Sequence, residues 1–305
     1  MNLKNGIKQA QSDILLYGIT PPHRKNPPEK IGEIAQKTLT RLMPLDIDGL
    51  VIYDINDESD RNAEDRPFPY LPTMDPYIYL QDYLKPWTKP TVIYRCVGKY
   101  SGTELSSWLQ SVEQKDVLTV FVGASSKEQK VKTTLHEAYE MRRKLDSSVP
   151  LGGVLIAERH TKHNSEHLRI EEKRAEGCSF FISQIFYNVD YTKSLLSDYY
   201  YHCQARGVPM VPVILTTSVC GSPKTLEFMK WLGIHIPRWL ENEITHAADP
   251  LKESFRQCLQ HVDEIIAFCR RHQIPFGFNV ESVSNRLVEI EASVELAKEI
   301  RKRLK

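Results

Sequence analysis

The stretch GCSFFISQIFYN, residues 177–188, decides how the rest of the chain is read. An apolar run at 180–182 ends in Ser183 and then a single amide, Gln184. A helical pattern precedes it over 165–176, another follows over 191–205, and a second apolar run comes at 209–215. Short apolar strands separated by amphipathic helices are the repeating unit of a parallel sheet. At the C-terminal end of a buried parallel strand, a glutamine can donate to one heteroatom of a ligand and accept from another without importing a charge. The plain alternative for this segment alone is a capped strand end with a surface amide.

Working outward, the same alternation runs from end to end. Strand candidates fall at 14–17, 49–53, 91–95, 117–122, 153–156, 180–183, 209–215 and 276–279. Amphipathic patterns fall at 28–42, 127–145, 165–176, 191–205 and 251–272. Eight strands, each followed by a helix, in 305 residues predict an α/β fold, a (βα)8 TIM barrel, as a single domain over residues 1–305. A doubly wound open sheet is the competitor, but it usually has fewer strands, and no glycine-rich turn follows the first one here. No Pro/Gly/Ser linker and no internal repeat divides the chain.

In such a barrel, chemistry sits where the strands end. Those ends read GITPP (18–22), DINDE (54–58), Arg95-Cys96, GAS (123–125), AERH (157–160), Gln184, Thr216-Thr217 and Glu281-Ser282. They make a polar mouth with one acidic side and one Arg/His side.

Composition narrows the partners. The 40 basic and 39 acidic side chains nearly cancel, so nucleic acid and anionic membrane are not expected. The basic residues Lys298, Arg301, Lys302, Arg303 and Lys305 alternate with Leu296, Ile300 and Leu304, as on the solvated face of a last helix. The first residues carry no apolar signal-peptide core, and no run approaches a membrane span. Six scattered cysteines without a CxxC pair read as reduced thiols, so a cytoplasmic protein is expected.

Several segments together resemble the methylenetetrahydrofolate reductase family, a flavin-dependent (βα)8 barrel that reduces 5,10-methylenetetrahydrofolate with NAD(P)H. They are Pro21-Pro22 after the first strand, Lys173 with GCSFFISQIFYN, GVPMVPVI at 207–214, and GIHIPRWL at 233–240. Their order and spacing agree with the family from residue 14 to about 300, and the second half is the more specific. The resemblance implies that Gln184 contacts both folate and flavin, and that Lys173 binds the flavin diphosphate, as suits a flexible point charge. It places Glu166 near the ribityl or ribose hydroxyls and His160 near a phosphate, although the family's Y-P-E-x-H turn is shortened here and its tyrosine missing.

Two departures stand out. The glutamate that serves the family as general acid on strand one falls at Gly18, and the flavin-side aspartate of its R-G-D-x-P turn falls at Ala124, beside Gly123. The family's strand-three histidine falls at Ile93, and Arg95 is expected to place positive charge near the flavin C2 carbonyl, or else to pair with the 54–58 loop. A positioned acid contributes roughly 10²–10⁴-fold to such a reaction, and glycine delivers no proton. Asp54, Asp57, Glu58 and Glu158 are the candidate replacements, Asp54 being best placed, with a strand-end cap as its ordinary role.

Other groupings carry weaker expectations. The run DINDESDRNAEDR at 54–66 reads as a solvated loop, and PFPYLP at 67–72 as either a lid over the mouth or a surface polyproline segment. Glu158, His160, His163, Glu166 and His167 lack the HExxH spacing, so no metal is assigned. Thr216 and Cys220, after strand seven, are expected to wall the folate, Cys220 as a pocket thiol.

The expected function is therefore hydride transfer from NAD(P)H through FAD to a C1-loaded reduced folate, with Gln184 and Asp54 as catalytic residues. The alternatives are a flavin-free folate or pterin barrel with other C1 chemistry, such as methyl transfer, and a non-catalytic subunit of a true reductase. The expected partners are the reduced folate and, for assembly, a second copy or a partner subunit.

Overall fold

Each of the eight apolar runs forms a parallel strand: β1 Ile14–Ile19, β2 Gly49–Ile52, β3 Thr91–Cys96, β4 Val117–Val122, β5 Leu151–Leu155, β6 Cys178–Ile185, β7 Val213–Ser218 and β8 Phe276–Glu281. The computed structural model describes residues 2–58, 64–124 and 129–305. Every strand pairs with its sequence neighbours, and β8 returns to pair with β1, which closes a (βα)8 barrel as expected. Closure leaves no sheet edge, so these strands are buried on both faces and read as nearly continuous apolar runs.

The two faces separate cleanly. Leu16, Val51, Val92, Val120, Phe180 and Ile214 point inward and pack together along the barrel axis. Leu15, Leu50, Ile93, Phe121, Phe181 and Leu215 point outward beneath the helices. The short helix α1 (Leu3–Lys8) puts Leu3 and Ile7 into the inner cluster, as a plug at the N-terminal end of the barrel.

The surrounding layer is α2 Pro28–Leu42, α3 Pro76–Tyr83, α4 Gly102–Val112, α5 Leu135–Lys144, α6 Ala157–His163, α7 Glu166–Ala175, α8 Val189–Arg206, α9 Pro223–Trp231, α10 Arg238–His246, α11 Pro250–His272 and α12 Leu287–Leu304. Local chemistry moves some boundaries from those expected. The helix expected over 127–145 begins at Leu135, because Thr134 and Glu137 form a reciprocal capping box there; residues 125–128, Ser125 among them, lie outside the described residues. The strand expected from 209 begins at Val213, since Pro209 and Pro212 have no N–H to give a ladder. Asn164, in the left-handed region (φ 47°), separates α6 from α7.

Candidate functional site

The C-terminal mouth is built by the continuation of the inward faces. On β8 the alternation FGFNVE turns Phe278 and Val280 outward and leaves Asn279 and Glu281 on the inner face. Register pairs Glu281 with Gly18 on β1, and Asn279 with Thr216 on β7. Tyr53 follows β2, and its ring meets Tyr94 of β3 edge-on at 4.8 Å.

Gly18 is required by close approach. A Cβ there would lie 2.9 Å from Tyr53 Cε2 and 3.3 Å from Asn279 Nδ2. The Tyr53 ring thus fills the space above β1 that a larger side chain would take, and Glu281 of the neighbouring β8 lies beside Gly18.

Hydrogen bonds fix the orientation of this group. Thr216 donates its hydroxyl proton to the Ser183 carbonyl (2.7 Å), so it can only accept from Asn279 Nδ2 (3.3 Å). The same Nδ2 donates to the Tyr53 hydroxyl (2.7 Å), and that hydroxyl hydrogen-bonds Glu281. Two acceptors remain: Asn279 Oδ1 and Glu281 Oε2 are buried with no partner among the described residues. Burial pushes the Glu281 carboxyl up to about 7, only partly offset by Tyr53. Burial, then Glu281, likewise hold the Tyr53 hydroxyl well above its usual value.

Residues 64–74 pack between α9 and the loop after β1. Residues 64–68 lie against α9, which follows β7, and by residues 72–74 the chain has reached the loop after β1. Trp231 Nε1 donates to the Glu64 carbonyl (2.9 Å), Phe68 meets Phe228 edge-on at 5.2 Å, and Arg66 lies over the Phe228 and Trp231 rings at 5.2 and 5.4 Å. On the way, the Pro72 carbonyl accepts from Arg24 N (2.8 Å) and Met74 N donates to the Pro22 carbonyl (2.9 Å). Leu71 within PFPYLP is exposed, while Phe68 packs on α9. Residues 59–63 of the charged run lie outside the described residues.

The residues expected from sequence distribute unevenly. Gln184 follows the inward Phe180 and Ile182 where the β6–β7 register shifts, and its Nε2 donates to the Leu232 carbonyl beyond α9 (2.6 Å). Thr216 is buried in the mouth. Asp54 is turned to the strand edge, accepting from Cys96 N (2.9 Å), Tyr100 Oη (2.9 Å) and the Lys99 ammonium. Its geometry is that of a cap, and it offers no free oxygen to the mouth.

Arg95 does not point to the mouth, where the resemblance puts it beside the flavin. Its side chain is on the outer face with Ile93, 3% exposed, paired with Asp75 and stacked over Trp108 at 4.1 Å. Asp75, not the 54–58 loop, is its partner. Cys220, expected as a pocket thiol, packs instead in the outer cluster; its backbone N–H bonds Ser254 Oγ, and burial lifts its thiol to about 12. Its thiol packs beneath the outer helices.

The remaining residues expected at a flavin are held by the protein itself. The Lys173 ammonium donates to the Val154 carbonyl, and burial lowers its pKa. Glu166 accepts from Ile156 N (3.1 Å), and His160, 1% exposed, meets Asp198 through Nε2 (3.0 Å). Ala124 is exposed and carries no carboxyl, and Gly123 has room for a Cβ at 3.5 Å from Leu135. Glu166 lies in the electrostatic environment of Lys173, and His160 Nδ1 and Glu166 Oε2 are buried without a partner among the described residues.

Glu158 accepts from His235 N (3.2 Å), away from the mouth acid. No metal was assigned from sequence, yet α6, α7 and α8 bring possible ligand atoms of His160, His167 and Asp198 within 4.8 Å of one another. The rings of His167 and His202 continue this cluster at 5.4 Å.

Tyr53, Asn279 and Glu281 were missed as site residues. The signal was present: Asn and Glu two apart, alternating with Phe and Val, put two polar groups on the inner face of the last strand.

With this geometry in place, comparison with known proteins becomes informative. A family model described as methylenetetrahydrofolate reductase matches residues 150–272. A solved structure from Clostridium thermocellum is 47% identical, covers 99% of this chain and 99% of that one, and superposes with a TM-score of 0.88. The chain belongs to the methylenetetrahydrofolate reductase family. The Clostridium thermocellum member is described as an uncharacterised protein that binds two copies of 5-methyl-5,6,7,8-tetrahydrofolic acid. A 7,8-dihydropteroate synthase from Vibrio fischeri ES114 matches at 9% identity and a TM-score of 0.46, over 97% of this chain and 94% of that one, too distantly to add to the reading. No curated protein matches the chain.

Proposed function

We propose that this reductase-family barrel binds a reduced, one-carbon-loaded folate of the 5-methyltetrahydrofolate type at its C-terminal mouth, without depending on FAD. The observation that carries the proposal is the 47% identical neighbour described as binding that molecule over the same full-length fold. The mouth supports it chemically. Gln184, Thr216, Asn279 and Glu281 surround an apolar floor with amides, one hydroxyl and one carboxyl, the mixture that a flat ring bearing alternating donors and acceptors requires.

The full reductase reading, NAD(P)H to FAD to 5,10-methylenetetrahydrofolate, draws support from family membership. The outward Arg95 and the missing carboxyl at Ala124 weigh against its flavin step.

Calorimetric titration of the purified chain with 5-methyltetrahydrofolate tests the proposal, with an absorbance spectrum taken in the presence of added FAD. Saturable folate binding by colourless protein is expected. Absence of saturation would overturn the folate reading, and a bound-flavin spectrum that bleaches with NADH would restore the reductase.

A further inference from the structure

The mouth holds two buried acceptors that no described residue satisfies. Glu281 Oε2 and Asn279 Oδ1 point from the same inner face of β8, two residues apart. Buried polar atoms nearly always have a partner, and a buried acceptor without one costs free energy. The orientation of Asn279 is fixed by Thr216, whose hydroxyl proton is already given to the Ser183 carbonyl, so its Oδ1 cannot be exchanged for a donor. Strand pairing offers no remedy, because backbone groups are spent along the ladders to β1 and β7.

What is missing is therefore a ligand rich in N–H donors. A pterin ring presents them on one edge: the ring N3–H and the exocyclic 2-amino group lie side by side, as a planar pair suited to a carboxylate. The groups that face Glu281 are Tyr53 from β2 and Tyr94 from β3, with Tyr17 of β1 further off. Those phenols carry no charge near neutral pH. No cation contributes to the environment of the carboxyl. It can gain charge-assisted hydrogen bonds only from an incoming molecule.

Resting on the folate reading above, we propose that Glu281, with Asn279 beside it, receives the amino-pyrimidinone edge of the reduced pterin, and that the Glu281 carboxyl loses its proton to solvent as the ring seats. The step is an ionisation with no covalent change. The O–H proton leaves to buffer, and the carboxylate formed accepts from N3–H and the 2-amino group. Tyr53 keeps its bond to Glu281, and Asn279 Oδ1 takes a further N–H of the ring. The free carboxyl titrates near neutrality and the bound one well below it.

The test is calorimetry of 5-methyltetrahydrofolate binding in buffers of different ionisation enthalpy, from pH 6 to 8.5, on the full chain and on Glu281→Gln. The parent should release about one proton per site at pH 6, about half a proton at pH 7 and almost none at pH 8.5. Its affinity should rise roughly tenfold across that range. Glu281→Gln should release none and bind roughly 10–100-fold more weakly at pH 8. A 5-methyltetrahydrofolate analogue without its 2-amino group should be weakened for the parent and hardly further weakened for Glu281→Gln, because the two changes remove one interaction. Circular dichroism and a melting curve confirm that the variant is folded, and Glu281→Asp supplies a second carboxyl at the same place if it is not. Parent and variant binding with equal affinity and equal proton release would overturn the assignment while leaving the folate reading intact. Failure of the parent to bind at all would overturn both.

Discussion

Glu281 is an expensive residue for the fold to keep. In the unfolded chain its carboxyl ionises near its ordinary value, whereas in the folded barrel burial holds it near 7. Between those two values the unfolded state binds fewer protons than the folded state, so stability falls as pH rises from about 4.5 to 7 and remains lower above it. Glutamine has a similar shape and does not titrate. Glu281→Gln is therefore expected to be more stable than the parent by about 1–3 kcal/mol at pH 8, with the difference largely gone at pH 4.5. Urea unfolding at both pH values checks this, and an equal difference at the two would refute the buried-acid account. The same residue explains Gly18. Tyr53 lies against β1 so closely that a methyl group there would press on its ring, and the Tyr53 hydroxyl is what links Asn279 to Glu281. The glycine, the phenol and the acid are one arrangement, with the acid carried by β8.

At the scale of elements, the acidic turn after β2 illustrates how far a strand-end carboxylate can be read. Its sequence position allowed either a catalytic acid or a cap. The structure gives Asp54 three donors from the end of β3 and the turn beyond it: Cys96 N, Lys99 and Tyr100 Oη. Tyr100 also reaches Asp75 (3.2 Å), which pairs with Arg95. Burial works to raise the Asp75 carboxyl, but the Arg95 guanidinium and the N–H groups of Ile78 and Tyr77 outweigh it and hold it below its usual range. This network ties β2, β3 and the start of α3 together on the outside of the barrel. Asp54→Asn should cost about 1–3 kcal/mol of stability, since it leaves Lys99 without its charge partner, and change 5-methyltetrahydrofolate affinity by less than about twofold. Denaturation and titration of the same preparation separate the two effects. A stable variant that has lost ligand binding would return Asp54 to the site. The elements themselves were legible wherever apolar periodicity was uninterrupted, as in all eight strands. Boundaries shifted where single residues govern them: the Thr134–Glu137 capping box, the missing N–H of Pro212, and Asn164 in its left-handed turn.

Across the whole molecule, the barrel divides its work between its two ends. Periodicity showed that eight strands exist and that their C-terminal ends make the mouth, because both follow from local pattern. Which polar residues face the axis depends on the register of all eight strands together. Arg95 and Glu281 each stand near the end of a strand, yet one turns out to Asp75 and Trp108 and the other turns in beside Gly18. Residue type alone made Arg95 the more attractive site residue, and only inward-outward parity separates them. At the opposite end, α1 carries no chemistry and packs Leu3 and Ile7 into the inner cluster with Ile14, Leu16 and Phe180. Ile7 is 3% exposed, so truncating it opens a cavity at the floor of the barrel, where the close-packed strands cannot collapse to fill it. Ile7→Ala should therefore lower stability by about 2–4 kcal/mol. The floor is separated from Glu281 by the inner side chains of the barrel, among them Val51, Val120 and Ile214. Folate affinity and the proton released on binding should consequently stay within about twofold of the parent at temperatures where the variant is folded. Urea unfolding gives the first quantity and calorimetry the second. A fall in affinity matching the loss of stability would mean that the mouth's orphaned acceptors are positioned by the whole barrel, down to its plug.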